Sequence, residues 1–324
     1  MRIAIVGAGA IGGTLAAFLA RAGGHDVSLL ARGAHLAAIR QRGLTLDRDG
    51  VRETHRLVAS DDPAALGVQE MVVLTVKGHS LPSLASHLAP LLGSRTIVVC
   101  AQNGIPWWFL AGIDAPERDQ PLPVVDPGGV VWNALSRTRV VGCMIQIPAS
   151  VPEPGIVAHG GSQRTLTFGT PRRGADPEAL ATCASVFGAA DVKSVVDEDF
   201  RTVVWTKLVQ NAFFGPASAL TLARNGAVDT APGMREVRTH VVDELIAAAA
   251  AWGSALAPAR TKLLAPNTNP EHKTSMLQDF EAGRPLETGP IVAAPLDLGA
   301  RRGVAMPVLA TLYALVSLRM ATKG

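Results

Sequence analysis

Residues 1–13 read MRIAIVGAGAIGG, and this stretch decides the fold of the N-terminal half of the chain. Its first part, Arg2–Val6, is a short apolar run of strand-forming residues. Three glycines with the spacing G-x-G-x-x-G follow at once: Gly7, Gly9 and Gly12. This spacing is weak evidence by itself, so its meaning depends on the residues that surround it.

The residues that follow complete the context of a dinucleotide-binding motif. Residues 14–22 (TLAAFLARA) have a helical pattern that ends at Gly23-Gly24, and residues 25–31 (HDVSLLA) have the pattern of a second strand. In this motif the first glycine permits the tight turn, the second lets a pyrophosphate approach the backbone, and the third lets the helix pack on the sheet. The N–H groups and the positive dipole end of the helix would face the phosphates. We therefore predict that a dinucleotide binds at Gly7, Ala8, Gly9, Ala10, Ile11 and Gly12. The alternative is a glycine-rich turn that binds nothing.

The end of the second predicted strand indicates which dinucleotide binds. NAD-binding proteins usually place Asp or Glu there, about 20 residues after the glycines, to bond the ribose 2′-hydroxyl. This chain has Arg32 at that place, and the only nearby acid, Asp26, lies at the start of the strand. A planar guanidinium suits a phosphate, so we predict NADP(H) as the cofactor. The alternative is that Arg32 is a solvated surface arginine.

Composition excludes several classes of protein. The length of 324 residues predicts about two domains. Residues 245–257 are the most apolar stretch, but Gly253 interrupts them and they are too short to span a bilayer. The net charge is +3 without a dominant run of Lys or Arg, so neither nucleic acid nor a membrane is predicted as a partner. Cys100, Cys143 and Cys183 are far apart and odd in number. We therefore expect no disulfide framework and no metal site, and a reducing cytoplasm as the location.

Two polar residues follow predicted strands of the sheet. Lys77 comes directly after the apolar segment 70–76, and Asn103 comes shortly after the segment 96–100. Open α/β sheets bind ligands at the C-terminal ends of their strands. We predict that Lys77 reaches a phosphate or the nicotinamide ribose and that Asn103 is a site residue. The alternatives are a surface lysine and an ordinary Asn-Gly turn.

The rest of the N-terminal half has the pattern of further strands. Residues 44–46 and 52–58 alternate and turn at Asp49-Gly50, which predicts a hairpin, and residues 81–92 have a helical pattern. Further strand-like segments are separated by Gly and Pro: 124–135, 139–147, 155–159 and 164–168. The segment 169–177 (GTPRRGADP) is the best candidate for a linker. We therefore predict an NADP-binding Rossmann domain over residues 1–172.

Residues 173–324 have the pattern of an all-helical domain. Four segments have helical spacing: 178–187, 199–214, 232–252 and 304–320. Gly215-Pro216 is expected to interrupt the second of them. The predicted fold class is thus α/β, with an N-terminal Rossmann-type dinucleotide-binding domain followed by an all-helical C-terminal domain. Substrate is expected in a cleft between the two domains.

Residues 204–220 (VWTKLVQNAFFGPASAL) carry the first candidates for chemistry. Lys207 and Asn211 are four residues apart and therefore share a helix face. Apolar neighbours would lower the pKa of a lysine amine toward the range of a catalytic acid or base. The alternative is a surface lysine whose stem covers apolar neighbours, and this helix alone favours that alternative.

Residues 271–289 (EHKTSMLQDFEAGRPLETG) carry the second group of candidates. Ser275 and Gln278 have the spacing of a capping box, so Ser275 is expected to cap a helix. The start of that helix would also attract a substrate carboxylate. Glu287 lies beyond the end of the helix, and its simplest interpretation is an exposed acid.

Together these motifs resemble those of the ketopantoate reductase (2-dehydropantoate 2-reductase) family over nearly the whole chain. The resemblance is carried by the glycine motif, Lys77, Asn103-Gly104, the Lys-Leu-x-x-Asn run at 207–211, the Lys-Thr-Ser-Met-Leu-Gln-Asp run at 273–279, and Glu287. It implies a Rossmann domain joined to a helical domain. It also implies an oxidoreductase of pantothenate biosynthesis that uses NADPH to reduce a 2-keto acid to a 2-hydroxy acid.

The resemblance implies roles for individual residues. Lys207 would be the general acid that protonates the ketone oxygen as hydride arrives, and Glu287 would bind the new hydroxyl. Substrate contacts are implied for Asn211, Asn225, Ser275 and Asn103. Cofactor contacts are implied for Arg32 at the 2′-phosphate, and for Lys77 and Asn103.

Two segments of the predicted substrate half depart from the family pattern. The family helix commonly continues Lys-x-x-x-Asn-x-x-x-Asn-Pro, whereas the second Asn position here is Gly215. Glu287 is followed by Thr288-Gly289-Pro290, where the pantoate enzymes often continue with Ile-Asp. Another 2-keto acid, carbonyl or imine is therefore an alternative substrate.

Other functions remain open alternatives at this stage. One is a hydroxy-acid dehydrogenase of the same architecture, and another is a non-catalytic NADP(H)-sensing protein that keeps the fold. The expected partner is a small-molecule 2-keto acid, and a homodimer is an open possibility.

Overall fold

The computed structural model describes residues 1–136, 138–266 and 269–322. The chain forms two compact units, one of residues 1–102 and 107–200 and the other of residues 103–106 and 201–324. Every strand found in the described ranges belongs to the first unit. The strands are β1 (Arg2–Val6), β2 (Asp26–Leu30), β3 (Leu44–Arg48), β4 (Val51–His55), β5 (Val58–Ser60), β6 (Met71–Leu74), β7 (Ile97–Cys100), β8 (Arg139–Gln146), β9 (Ala149–Glu153), β10 (Ile156–His159), β11 (Thr165–Gly169) and β12 (Lys193–Val196).

The main sheet has eight strands in the order β12-β11-β8-β7-β6-β1-β2-β5. Neighbouring strands from β5 to β8 run parallel, β11 is antiparallel to β8, and β12 is parallel to β11. The six strands from β5 to β8 follow the 3-2-1-4-5-6 order of a Rossmann fold. The predicted fold class is therefore confirmed. The strand order changes direction between β1 and β6, and that is where this fold binds dinucleotides.

The central strands form where the sequence is continuously apolar. Residues 3–6 of β1 and 71–74 of β6 are fully buried. Central parallel strands are covered on both faces and therefore have apolar runs in place of alternation.

A second sheet of four strands has the order β4-β3-β10-β9 and includes the predicted hairpin. The strands β3 and β4 pair antiparallel around Asp49 and Gly50, which have φ values of +52° and +87°. Positive φ at both central residues is typical of the type I′ turn that two-residue hairpins favour. The hairpin prediction is confirmed.

The helices are α1 (Ala10–Ala22), α2 (Gly33–Arg42), α3 (Leu81–Ala85), α4 (Val130–Leu135), α5 (Pro177–Ala189), α6 (Phe200–Thr221), α7 (Asn225–Thr230), α8 (Met234–Ala251), α9 (Arg260–Leu263), α10 (Ser275–Glu281), α11 (Ala294–Arg301) and α12 (Pro307–Ala321). A π-helix, Gly289–Ala293, precedes α11. No helix of the ranges described combines the length and the hydropathy that crossing a membrane requires.

Local prediction is wrong at one place in the first unit. The strand expected over residues 124–135 is instead the short helix α4, because the Asp126 carboxylate accepts hydrogen bonds from the N–H groups of Val131 at 2.9 Å and Trp132 at 2.8 Å. The strand β12 lies beyond residue 172 and pairs with β11. The sheet unit therefore includes elements on both sides of the predicted domain boundary.

The break predicted at Gly215-Pro216 is also wrong, because α6 continues through Pro216 to Thr221. A proline inside a helix removes one backbone hydrogen bond. Gly215 and Pro216 are both buried here, and the packing around them holds the helix together. Residues 207 to 218 therefore lie on one continuous element.

Candidate active site

The glycine turn has the backbone and the space that a dinucleotide needs. Gly7 follows β1 with a φ of +100°, and a Cβ there would lie 2.8 Å from the Cγ1 of Val76. Gly9 precedes α1, is exposed, and has no atom within 4 Å of the position of a Cβ. The start of α1 has no side-chain cap, so its first N–H groups can serve a ligand. The residues present therefore fit a pyrophosphate.

Thr75 fixes this turn from the neighbouring strand. It follows β6, and its Oγ1 donates a hydrogen bond to the Gly7 carbonyl oxygen at 2.6 Å and lies 3.0 Å from the Val6 carbonyl oxygen. A Cβ on Gly12 would overlap both the Thr75 hydroxyl and the Gly7 carbonyl. Thr75 is not among the residues that the sequence predicts. Its only signal is a hydroxyl within the otherwise apolar segment 71–76.

Arg32 lies where a 2′-phosphate clamp is expected. It immediately precedes α2 and is exposed. Within residues 1–136, 138–266 and 269–322, no hydrogen bond or ion pair joins its side chain to another residue. Its guanidinium is therefore available to a ligand.

His35 lies between the glycine turn and the smaller sheet, and the sequence does not predict it either. Its Nδ1 accepts a hydrogen bond from the N–H of Gly155 at 2.9 Å. Burial lowers the pKa of His35, and the backbone of Ala8 opposes this shift in part. An unprotonated Nδ1 is required to accept from Gly155, so both observations describe a neutral imidazole.

Lys77 and Asn103 belong to different compact units. Lys77 is half-buried and lies just beyond β6 in the sheet unit. Residues 103–106 belong to the helical unit, where the N–H of Ile105 donates to the Pro290 carbonyl at 2.8 Å. Gly104 has a φ of +83°, and a Cβ there would lie 2.5 Å from the Pro290 oxygen. Asn103 is thus tied to the same unit as the predicted substrate residues.

The helix α6 presents Lys207 and Asn211 on one face, as the sequence predicts. Both side chains are half-buried, whereas Trp205 and Leu208 beside them are buried. An ammonium group in such surroundings keeps some access to a ligand while its stem lies among apolar atoms. This face can present a proton donor and an amide to a small molecule.

Glu287 is buried, with 6% of its surface exposed, so its interpretation as an exposed acid is wrong. It directly precedes the segment 288–293, and its carbonyl accepts from the N–H of Ile291 at 3.3 Å. The π-helix Gly289–Ala293 contains Pro290, which anchors the Asn103 loop. π-helical turns are rare and occur frequently at functional sites. This turn connects Glu287 with the loop that carries Asn103.

Ser275 does not cap α10, so that prediction is wrong by one residue. The cap is Thr274, whose Oγ1 accepts from the N–H of Leu277 at 3.0 Å. Ser275 is the first residue of the helix and is exposed. The Thr274 Oγ1 also lies 2.6 Å from the Oγ of Ser218 in α6. The start of α10 is therefore fastened to the helix that carries Lys207.

Asn225 is the first residue of α7 and is only 4% exposed. Its N–H donates to the carbonyl of His272 at 3.1 Å. Its side-chain Oδ1 is buried, and no residue in the described part of the chain hydrogen-bonds to it. Buried amide oxygens normally have a partner, so this atom is a candidate for contact with a ligand or water.

Two family models cover the chain. The model described as "Ketopantoate reductase PanE/ApbA" matches residues 3–173, and the model described as "Ketopantoate reductase PanE/ApbA C terminal" matches residues 199–320. The chain belongs to the ketopantoate reductase family. The predicted resemblance is confirmed, and this membership places the protein among the oxidoreductases.

Similar members of the ketopantoate reductase family match over almost their full length. A 2-dehydropantoate 2-reductase of Mesorhizobium japonicum is 38% identical over 317 residues, which are 98% of this chain and 97% of that protein. A crystal structure from Ralstonia solanacearum MolK2, assigned to ketopantoate reductase, has a TM-score of 0.91 at 38% identity and covers 100% of this chain and 98% of that one. The 2-dehydropantoate 2-reductase of Geobacter metallireducens GS-15 has a TM-score of 0.86 at 27% identity and covers 98% and 100% of the two chains.

Proposed function

We propose that this protein reduces a 2-keto acid to a 2-hydroxy acid with NADPH, the substrate being 2-dehydropantoate or a related keto acid. The observation that carries the proposal is the face of α6 on which Lys207 and Asn211 lie together, in the same compact unit as the buried Glu287. The names of the full-length relatives support the reaction class.

The cofactor would be held by the sheet unit. The turn from Gly7 to Gly12 and the start of α1 offer backbone N–H groups to the pyrophosphate. Arg32 offers its guanidinium to the 2′-phosphate, and Lys77 adds a second positive charge near the end of β6. When bound, NADPH supplies the hydride.

The keto-acid chemistry falls to residues of the helical unit. Addition of hydride to the carbonyl carbon leaves negative charge on the ketone oxygen. The Lys207 ammonium would stabilise that charge and donate the proton. Glu287 would accept a hydrogen bond from the new hydroxyl, and positioning contacts would come from Asn211, Asn225, Ser275 and Asn103.

The test is oxidation of NADPH by the purified protein with 2-dehydropantoate and a panel of other 2-keto acids. Replacement of Lys207 by Ala is expected to lower kcat by about 10²- to 10⁴-fold, the usual contribution of a general acid, and to leave the Kd for NADPH unchanged. Lys262→Ala removes an exposed lysine of the same unit and should have no effect. Full turnover by the Lys207 variant would refute its assignment as the acid.

A further inference from the structure

The accessible part of the Lys207 face ends at Gly215. Residues 207, 211 and 215 recur at intervals of four along α6 and therefore lie on the same side of the helix. Lys207 and Asn211 are half-buried, whereas Gly215 is buried. A residue from outside α6 therefore covers this face of the helix at Gly215.

The residue that covers Gly215 is Met276. A Cβ on Gly215 would lie 3.2 Å from the Cε and 3.3 Å from the Sδ of Met276. Met276 is only 3% exposed, and it directly follows Ser275 in α10. The thioether of Met276 therefore lies on the backbone of α6, one helical turn beyond Asn211.

Thr274, two residues before Met276, holds this part of the chain against α6. Thr274 caps α10 and lies 2.6 Å from the Ser218 hydroxyl of α6. Lys273 pairs with Glu281 of α10 at 2.8 Å. The Thr274–Ser218 contact thus fixes the start of α10 on α6, whereas the Lys273–Glu281 pair lies within the α10 segment itself.

The wall that Met276 and Gly215 form is apolar. A thioether sulfur is only a weak acceptor, and glycine has no side chain. The carbonyl of Gly215 already accepts from the Ser218 hydroxyl at 3.1 Å, and Pro216 has no N–H. A substrate hydroxyl placed here would lose its hydration without gaining a good partner.

We infer that Met276 and Gly215 determine specificity: they form an apolar end wall that selects 2-oxo acids whose side chain ends in an alkyl group in place of a hydroxyl. The inference rests on the proposed function, because it takes the Lys207–Asn211 face as the place where the keto acid binds. Alkyl groups would pack against the thioether, and polar ends would be disfavoured.

The test uses two acids that differ by one hydroxyl, 3,3-dimethyl-2-oxobutanoate and its 4-hydroxy derivative, 2-dehydropantoate. Wild-type protein should have a kcat/KM about ten- to a hundredfold higher for the alkyl acid. Met276→Gln places an amide in nearly the same volume and should shift the ratio about tenfold toward the hydroxy acid. Met276→Leu keeps an apolar wall and should keep the wild-type preference.

The matched control is Met306→Gln. Met306 is 5% exposed, and its Sδ also packs on a helical glycine, 2.6 Å from the Cβ position of Gly299 in α11. This variant should lose similar stability without a change in the substrate ratio. If thermal melting shows that Met276→Gln does not fold, Gly215→Asn replaces it, because only the movable end of the Met276 side chain lies closer than 3.4 Å to the new Cβ. Gly215→Asn should raise kcat/KM for the hydroxy acid.

The outcomes separate this inference from the function on which it rests. Turnover of both acids with a ratio that neither Met276→Gln nor Gly215→Asn changes would overturn the inference and leave the proposed reaction intact. A wild-type preference for the hydroxy acid would also overturn the inference and leave the proposed reaction intact. Binding of NADPH without turnover of any 2-oxo acid would overturn both.

Discussion

The hydroxyl of Thr75 lies 2.6 Å from the carbonyl oxygen of Gly7, although the two residues are 68 positions apart in the sequence. They meet where β1 and β6 end side by side, at the change of strand order in the sheet. Gly12 approaches the same two groups so closely that no Cβ fits. The shape of the glycine turn therefore depends on a side chain from a neighbouring strand as well as on the glycines.

The glycine turn predicts that two Gly→Ala substitutions both weaken NADPH binding but differ in their effect on stability. Gly12→Ala places a methyl against the Gly7 carbonyl and the Thr75 hydroxyl, so it should cost about 1–3 kcal/mol of unfolding free energy and weaken NADPH binding. Gly9→Ala meets open space, so it should leave the melting temperature unchanged while its methyl excludes the pyrophosphate. Thermal melts measure the stability of each variant, and NADPH titrations measure its affinity for the dinucleotide. An unchanged NADPH affinity in Gly9→Ala would contradict the proposed phosphate site.

Arg32 should distinguish the two nicotinamide dinucleotides. A charge-assisted hydrogen bond contributes about 1.5–3 kcal/mol, so Arg32→Ala should raise the Kd for NADPH by about 10- to 150-fold and change that for NADH little. The matched control is Arg40→Ala in α2, the helix that Arg32 precedes, because Arg40 is engaged with Asp61 and the Ala59 carbonyl. Fluorescence titration of each of the two variants with NADPH and with NADH gives the four dissociation constants. Equal weakening of NADPH and NADH would argue against a 2′-phosphate clamp.

Features that depend on nearby residues could be predicted from the sequence. The glycine spacing, the apolar runs of β1 and β6 and the Asp49-Gly50 turn each specify their own backbone, and all three are confirmed. The shared face of Lys207 and Asn211 follows from their spacing alone. In each case a few consecutive residues determine the structure.

Features that depend on distant residues could not be predicted in this way. Thr75 and His35 act on the glycine turn and on Gly155 through contacts between elements far apart in the chain. The burial of Glu287 depends on the packing of the helical unit, and sequence spacing carries no signal for it. The helix through Pro216 forms against local propensity because its surroundings are packed, which is a tertiary effect.

The sheet unit should lose stability in acid through Asp176. Arg139 donates hydrogen bonds to the Asp176 carboxylate at 2.7 and 2.8 Å, and the N–H of Ala179 donates at 2.9 Å. These bonds, with that of Arg139 foremost, hold the pKa of Asp176 below its usual value. The folded protein therefore binds this proton less readily than the unfolded chain, so the stabilisation is complete above the unfolded pKa of about 4 and is lost as the pH falls through the lower, folded value.

Replacement of Asp176 by Asn keeps a capping oxygen for Ala179 and removes the charge. We expect it to lower the unfolding free energy by about 1 kcal/mol at pH 7, because the ion pair is only partly shielded from water, and to flatten the loss of stability as the pH falls below the unfolded pKa of about 4. Asp61→Asn is the matched control, because its pair with Arg40 is far more exposed. Urea unfolding at a series of pH values gives the unfolding free energy of both variants. If the wild type and Asp176→Asn lose stability in parallel as the pH falls, other carboxylates cause the acid sensitivity.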